Sequence, residues 1–580
     1  MDKSNSDISL LHTRETNIKD ILYKYRLLIL IIIFAFFIRL WGIWNAESND
    51  EYNEVFEALR VCSGQLNYER WFKRFYLYIL SIEYGLFYAI GWISHIFSSP
   101  TDFAAKIIRD LSPLLLIGRA TSTVMGALSV FMTYVVGSRL HSKNVGLLAA
   151  LFLSLNSFNI ILSHYARLDT TLCSIVLISF YFIVRIYQRA DSDAEKYYAF
   201  AGLFIGIAIQ NKIPSVILLI PFAVAHLISH GFKFSPQLLF GRQVAFFVAA
   251  LMSGLVVGNP AILFAPIKFL QGMLSQGDAF TVAINETKSE YIGYLAYIFY
   301  FFRELGMPLS VLALFSLWKA LTSRNNNDIL LLSFILPFYA LMGASRYMVY
   351  DSYMIPLMPF LYILCSDKLI SMLDKFNSRI MPKSWVLGGV VLVLICYPSF
   401  NVGKLLLSFS GQNTRYMAKY WIEQNIPFDS KILMDSGKTM NSFAPLIAQN
   451  RESILRTISE LSVNISNGTI NDPTKMVDYN AVKYYQMLLQ TVPKEAYDIT
   501  STKFGLELKS LNYYKQEGYK YFVISESMKI NRSDRFTAER HPDVYRFYSA
   551  LDIDPNLKLI KIIAPSIINR GERFYIYKVL

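Results

Sequence analysis

The sequence predicts a polytopic α-helical membrane protein with a C-terminal extracytoplasmic α/β domain. Three observations carry that prediction. Of 580 residues, 54% are hydrophobic and only 17% charged, and the mean hydropathy of +0.34 is not that of a water-soluble chain. Apolar runs long enough, or nearly long enough, to cross a bilayer recur between residues 27 and 401, joined by short basic connections. Beyond residue 402 the long runs stop and short strand and helix patterns replace them.

The first 26 residues are polar and read as a cytoplasmic N-terminus. The run that follows, LLILIIIFAFFIRLWGIW, lacks a small-residue cleavage site and reads as a retained anchor. A charged stretch then opens the first outer loop, 45–112. Ser48 and Glu51 have the S-x-x-E spacing of a capping box, so a helix is expected from Asn49, closing near Gly64. On it Tyr52, Val55, Phe56 and Leu59 share a stripe, while Asp50, Asn53, Glu54 and Glu57 lie off it. That is the pattern of a helix lying flat in the bilayer interface. Asp50 and Glu51 would begin this helix at the membrane surface, where two acids suit a helix dipole and equally suit catalysis.

Further runs lie near 113–138, 144–162, 169–188, 197–209, 213–230, 243–259, 305–321, 328–343, 352–369 and 385–401. One more, 75–97, is long enough but carries Glu83 and many aromatics, and the positive-inside rule decides its place. If it does not cross, cytoplasmic connections hold Arg139, Lys143, Arg185, Arg189, Lys196, Lys233, Arg242, Lys319, Arg324, Lys368, Lys375, Arg379 and Lys383. The short outer turns then hold only Arg167, Lys212 and Arg346. We therefore read 75–97 as an interfacial or re-entrant pair of helices. The transmembrane domain, 27–401, has about eleven spans, a long outer loop at 260–304, its N-terminus inside and its C-terminus outside. This describes a multi-pass protein of the plasma or inner membrane.

The tail, 402–580, reads as an accessory α/β domain. TRYMAKYWIEQN is an amphipathic helix, and KILMDS, YKYFVIS, LKLIKII and RFYIYKV are strands. It holds His541 but no evident nucleophile or metal cluster. Asn285, Asn464, Asn467 and Asn531 match glycosylation acceptors that this topology places outside.

Composition also excludes some classes. The net charge of +13 could suggest nucleic acid, yet the basic residues sit mainly in the short connections, facing a cytoplasmic leaflet. Cys173, Cys365 and Cys396 lie in apolar runs and Cys62 in the first loop, so no disulfide framework or C-x-x-C site is visible. His226 and His230 have the spacing of a metal pair but fall at a cytoplasmic end without a carboxylate, and they read as structural.

Ionisable residues beside spans mark ligand or ion paths. Outer-side cations recur at span ends: Lys73 with Arg74, Arg167 in SHYARLD, Lys212 in QNKIP and Arg346 in SRYMVYD. Singly, each could snorkel to the interface. Together they would suit a phosphate whose lipid tail lies in the bilayer. Asp169, two residues after Arg167, is either a helix cap paired with Arg167 or a second carboxylate that orients Arg167 or an acceptor.

Several stretches, in order, resemble the GT-C class of integral-membrane glycosyltransferases, the superfamily of protein O-mannosyltransferases and aminoarabinose transferases. They are IRLWGIW, the Asp50-Glu51 pair, GRATSTVMGALS at 118–129, SHYARLD, NKIPSVILLIP at 211–221, GNPAILFAP at 258–266, SRYMVYDSYMIPLMPFLYIL at 345–364 and TRYMAKYWIEQNIP at 414–427. The resemblance implies a polyprenyl-phosphate sugar (undecaprenyl or dolichyl) as donor and inverting transfer to a glycan, lipid or protein acceptor. Asp50 would be the general base or acceptor-orienting group, with Glu51 and Asp169 as further catalytic acids. Lys73, Lys212 and Arg346 would hold the leaving phosphate, with Arg74, Arg167 and Tyr347 completing the binding set. Such loops often continue with Lys-Pro, whereas here Lys73 precedes Arg74. A metal-ligating histidine of some members has no counterpart, so no metal is carried over and no cofactor is firmly implied, with a divalent cation left open. The rival readings are a transporter, against which the absence of an inverted repeat counts, and a receptor or scaffold.

Overall fold

The computed structural model describes residues 25–64, 74–188, 194–231, 241–267, 270–271, 293–345, 349–375, 382–435, 444–466, 482–502, 508–533 and 535–580. The chain is a polytopic helical membrane protein with a C-terminal α/β domain. Among the described residues eight helices are long and apolar enough to cross a bilayer, or nine if one bent pair counts as a single span. They are α1 (Tyr25–Asn45), α3 (Arg74–Ile93), α5 (Ser112–Leu140), α8 (Asp169–Tyr187), α12 (Gly293–Thr322), α13 (Asn326–Gly343), α14 (Met358–Lys375, led in by a 3-10 turn, Asp351–Leu357) and α15 (Lys383–Ser408). Between them lie α2 (Asn49–Cys62), α4 (Pro100–Arg109), the bent pair α6 (Lys143–Ser154) and α7 (Ser157–Ser163), α9 (Ala194–Asn211), α10 (Leu219–Ser229) and α11 (Arg242–Gly258).

Length and composition alone do not reach the count of about eleven read from the sequence. The run at 144–162 bends by 64° between α6 and α7, and the runs at 213–230 and 243–259 make only shorter apolar helices. The stretch at 75–97, expected as an interfacial pair, is instead one uninterrupted helix of 20 residues, α3. Its apolar content carries it across a single glutamate, Glu83. Residues 293–304, assigned to the long outer loop, are helical: α12 starts at Gly293 and breaks at Gly306, where φ is +72° and Pro308 follows. A left-handed φ suits glycine alone, and the proline removes a backbone donor just beyond it.

The chain divides into two compact units. The first comprises Met1–Leu40, Gln65–Ile79 and Ala120–Gly403. The second comprises Trp41–Gly64, Leu80–Arg119 and Lys404–Leu580.

In the first unit α8 and the 351–375 span are the most enclosed, 72% and 78% buried. Close backbone approach joins α9 to α11. Gly202 and Gly206 face Phe247 and Leu251, and Gly254 and Gly258 face Leu203 and Gln210, with a Cβ at any of the four meeting an atom within 2.6 Å. This is paired G-x-x-x-G packing, in which small residues let backbones touch where lipid supplies no hydrophobic drive. Arg39, fully buried in α1, donates to the Asn159 side chain at 2.8 Å and to the carbonyls of Ala35 and Leu153 at 3.0 and 3.3 Å. A buried guanidinium is tolerable only with such partners, and it ties α1 to the bend between α6 and α7.

In the second unit the tail forms a five-stranded sheet of order β2-β1-β3-β5-β4, from β1 (Lys431–Met434), β2 (Asp498–Ser501), β3 (Tyr521–Ser525), β4 (Leu557–Ile563) and β5 (Phe574–Val579). β1 runs parallel to β2 and β3, and β5 runs antiparallel to β3 and β4. Alternation fills both faces. Ile432, Met434, Val523 and Ile576 pack under the helix Thr414–Asn425, while Leu433, Phe522, Ile524 and Tyr577 pack under the helices that hold Tyr514 and Phe547.

Asp435, just past β1, accepts the Ser525 backbone N–H at 3.0 Å and the Tyr548 hydroxyl at 3.2 Å. Burial pushes its carboxyl from the ordinary 3.8 up to about 7. The folded unit thus holds a proton that the unfolded chain has released, so this stabilisation is fully present below about pH 4 and is lost as pH rises through about 7. Thermal melts of the detergent-purified chain should show this unit less stable at pH 8 than at pH 5.5. Asp435→Asn should remove most of that difference, and an unchanged slope in the variant would exclude Asp435 as its source.

Candidate functional sites

Two polar centres are built inside this frame, one in each unit. The centre in the second unit starts from α2. Glu51 Oε1 accepts the Ser48 backbone N–H at 2.7 Å, the glutamate half of the capping box that the spacing predicts. Ser63 closes the helix and Gly64 follows with φ +74°. Glu51 is wholly buried, and Arg119 of α5 binds it twice, Nε to Oε2 at 2.8 Å and Nη2 to Oε1 at 3.2 Å. The third arm of Arg119 donates to the Ile43 carbonyl at 3.1 Å.

A second pair lies beside it. Glu47 accepts from Arg415 at 2.7 Å and from the Tyr52 hydroxyl at 2.5 Å, and its other oxygen is 3.8 Å from Arg119. Arg415 also lies over the Tyr52 ring at 5.3 Å. Two carboxylates and two guanidiniums therefore neutralise one another in a low-dielectric interior, where each alone would be prohibitive. Burial, and then the Glu47 carboxylate, raise the Tyr52 and Tyr416 hydroxyls, Tyr416 to about 12, so both stay protonated. Asp50 heads the same first turn and is half-buried. The network fixes the helix end on which Asp50 stands. Glu51, expected as a catalytic acid, is placed where it anchors α2 to α5.

The centre in the first unit gathers at helix ends. Asp169, the first residue of α8, is almost fully buried. Arg167 Nε is 3.2 Å from one of its oxygens and Lys212 Nζ 3.4 Å from the other. One carboxylate thus holds two cations at this point. Lys212 also lies over the Tyr353 ring at 4.0 Å. Asn211 Oδ1 accepts the Tyr76 backbone N–H, which ties α9 to α3, and Ser122 Oγ donates to the Arg167 carbonyl at 3.1 Å, which ties α5 to the turn before α8.

The same 3-10 turn that carries Tyr353 begins at Asp351, which pairs with Arg303. Arg303 neighbours Glu304, whose carboxylate accepts the Ser157 hydroxyl at 2.5 Å. These last groups were not singled out from the sequence. Glu304 lay in a presumed loop, and only its place just before the Gly306–Pro308 break could have flagged it. Beside this turn an apolar groove of about 260 Å³ runs along α12, α13 and α14, lined by residues such as Phe301, Leu305, Leu314, Leu336 and Leu361.

Of the expected site residues, Asp50 and Glu51 stand together in the second unit, and Arg167, Asp169 and Lys212 stand together in the first. Arg74 opens α3. Lys73, Arg346 and Tyr347 lie outside the described residues, as do the acceptor motifs at Asn285 and Asn467. Among the described residues no group of three His, Cys, Asp or Glu side chains is placed to hold a metal ion.

Residues 114–257 match the family model of the dolichyl-phosphate-mannose-protein mannosyltransferases. That segment is about a quarter of the chain and contains Arg119, Arg167, Asp169 and Lys212, in agreement with the resemblance drawn from the motifs. No curated protein matches the chain. Among solved structures it is similar to the apo oligosaccharyltransferase of Archaeoglobus fulgidus, at 12% identity, 88% of this chain, 70% of that one and a TM-score of 0.48. It is also similar to ArnT from Cupriavidus metallidurans bound to undecaprenyl phosphate, at 12% identity, 96% and 98% coverage and a TM-score of 0.48.

Removing the Glu51 charge strands Arg119, so Glu51→Gln should destabilise the second unit by about 3–5 kcal/mol. Asp50→Asn, next to it, keeps the side chain's shape and strands no buried guanidinium, so it should destabilise the unit less than Glu51→Gln does. Denaturation of both variants in matched detergent checks this, and equal melting of Glu51→Gln and wild type would remove the ion pair from its supporting role.

Proposed function

We propose that this chain is a membrane glycosyltransferase that moves a sugar from a polyprenyl-phosphate carrier to an acceptor on the extracytoplasmic face. The observation that carries the reading is the family match across 114–257, which falls on the segment that supplies Arg167, Asp169 and Lys212. Chemically, displacement at an anomeric carbon needs a base for the acceptor hydroxyl and positive charge for the departing phosphate.

Lys212, backed by Arg167 and aimed by Asp169 and the Tyr353 ring, is the phosphate-holding cation in this reading. Asp169 sets the direction of both cations from the first turn of α8. Asp50 takes the acceptor proton, and the Glu47–Glu51–Arg119–Arg415 network keeps its helix end rigid. The apolar groove along α12 offers aliphatic and aromatic side chains against which a hydrocarbon chain would pack. Lys73, Arg74, Arg346 and Tyr347 remain the further phosphate ligands of this proposal. A single displacement would invert the anomeric centre.

Orientation follows from charge. In the first unit Arg139, Lys143, Arg185, Lys196, Arg242 and Lys319 sit at the helix ends remote in sequence order from Asp169, Lys212 and Asn259. The positive-inside rule assigns those basic ends to the cytoplasm, which leaves the Asp169 cluster outside. The C-terminal domain, reached through α15 from Lys383, is then extracytoplasmic as well.

Purified protein given polyprenyl-phosphate sugars and an acceptor extract should release carrier phosphate. Asp50→Asn should abolish release while leaving expression and insertion unchanged. Lys212→Met should lower kcat/KM by roughly a hundredfold. Full activity in Asp50→Asn would remove Asp50 from the mechanism, and a reporter at the C-terminus found in the cytoplasm would overturn the orientation.

A further inference from the structure

The connection between β4 and β5 turns back on itself at Ile567 and Ile568. Ser566 and Asn569 close the turn. The Ser566 backbone N–H donates to the Asn569 carbonyl at 2.8 Å, and Ser566 Oγ accepts the backbone N–H of Asn569 at 3.1 Å and that of Ile568 at 3.3 Å. The centre of a turn ordinarily goes to Gly, Pro, Asn, Asp or Ser, whose conformations or local hydrogen bonds suit it. Two isoleucines there, 73% and 50% exposed, serve no need of the turn itself. Exposure alone does not say what covers them, since Ile553, on the approach to the other end of β4, is 79% exposed. Their position does.

The turn is bound to the place where two membrane spans end. Just past α15, the Gly411 backbone N–H donates to the Ile568 carbonyl at 2.7 Å, and the Thr414 backbone N–H donates to the Arg570 carbonyl at 2.8 Å. Asn569 Nδ2 donates to the Gln412 carbonyl at 2.8 Å. A Cβ on Gly411 would lie 2.6 Å from the Ile568 carbonyl oxygen, so this approach requires glycine. The end of α1 meets the same stretch: Trp41 Nε1 donates to Ser410 Oγ at 3.3 Å, and Asn45 Nδ2 to the Phe409 carbonyl at 2.9 Å. All these residues belong to the second unit. Trp41 and Trp44 are exposed, and tryptophan at the end of a span sits at headgroup level. Ile567 and Ile568 are therefore fixed at the depth where α1 and α15 leave the hydrocarbon.

We propose that the β4–β5 turn is a membrane anchor: Ile567 and Ile568 insert into the leaflet at which α1 and α15 end, and so hold the C-terminal sheet against the bilayer surface. The occupant is lipid because the exposed isoleucines continue a face that the chain already presents to lipid through Trp41, Trp44 and Leu407, all exposed. The flanks fit the same boundary. Ser566 and Asn569 stand on either side of the isoleucines, and the Arg570 guanidinium rests over the Phe409 ring at 5.0 Å, which gives the apolar tip and polar, basic base of an interfacial segment. Ile568 has both its backbone groups paired, its N–H with Ser566 and its carbonyl with Gly411, as a segment entering a low-dielectric layer requires. Two isoleucines alone would hold a bilayer only weakly. Tethered beside two spans, they act at high effective concentration and need only fix the orientation of the sheet.

The test uses the full-length protein in nanodiscs, carrying Cys62→Ser and Cys396→Ser, with the fluorophore NBD attached through Ile567→Cys, Ile568→Cys or, as the control, Ile553→Cys. All three positions are exposed, so the substitutions remove no packed side chain. Lipid with a doxyl quencher high on its acyl chain should quench the probe at 567 and at 568 about threefold more strongly than at 553, and iodide in the water should quench it about threefold less. Ile568→Asp should return the probe at 567 to the quenching seen at 553. The proposal is overturned if lipid quenching at both positions is no stronger than at 553. It is overturned equally if neither reagent quenches there, since protein, a second copy included, would then cover the turn. Lipid quenching at 567 that survives Ile568→Asp unchanged would show that the probe and not the isoleucine pair enters the bilayer, and it too would overturn the anchor.

Discussion

The mutual neutralisation of Glu47, Glu51, Arg119 and Arg415 is the constraint on which the second unit depends. Each of these side chains would be intolerable in its surroundings alone, and together they make a neutral cluster with most hydrogen-bonding capacity used. The cluster joins α2, α5 and the first helix of the tail, elements separated by up to several hundred residues of chain. A greasy interface alone would permit α2 to slide or rotate. Directional ionic bonds do not, and so the start of α2, where Asp50 stands, has one position in this unit.

The first unit solves a related problem at helix ends. Arg39 is bound by side-chain and backbone oxygens, Asp169 by two cations, and Asp351 by Arg303. Most of these contacts occur where a helix stops, bends or breaks: at the turn between α6 and α7, at the start of α8, at the end of α9 and just before Gly306. In a bilayer such places already expose backbone polar groups, so collecting charge there adds less cost than placing it in mid-helix.

Much of this was legible in the sequence. The capping box at Ser48 and Glu51 located α2, and four of the five strands of the tail followed from β-branched and aromatic runs. The helix Thr414–Asn425 was visible from its amphipathic spacing, and Arg167, Asp169 and Lys212 stood out as charges beside apolar runs. The rest was hidden for identifiable reasons. β2, Asp-Ile-Thr-Ser, is four residues long and half polar, and only pairing with β1 makes it a strand. Glu83 and a crowd of aromatics argued against a single α3, because a local charge count cannot register that nineteen other residues outweigh one acid. Arg119 and Arg415 lay inside motifs quoted for other reasons; that each binds a glutamate of the first loop is a long-range fact which spacing does not encode.

The contact of α9 with α11 has a different kind of consequence. Gly202, Gly206, Gly254 and Gly258 meet main-chain or adjacent atoms at distances that no side chain, not even a methyl group, can enter without displacing a helix. Most interfaces decay gradually as their residues drift, because a large side chain can shrink through intermediate sizes. This seam has no intermediate: every codon change that alters any of the four adds bulk, so the pair of helices can diverge elsewhere along its length but is held at these points to a single residue type.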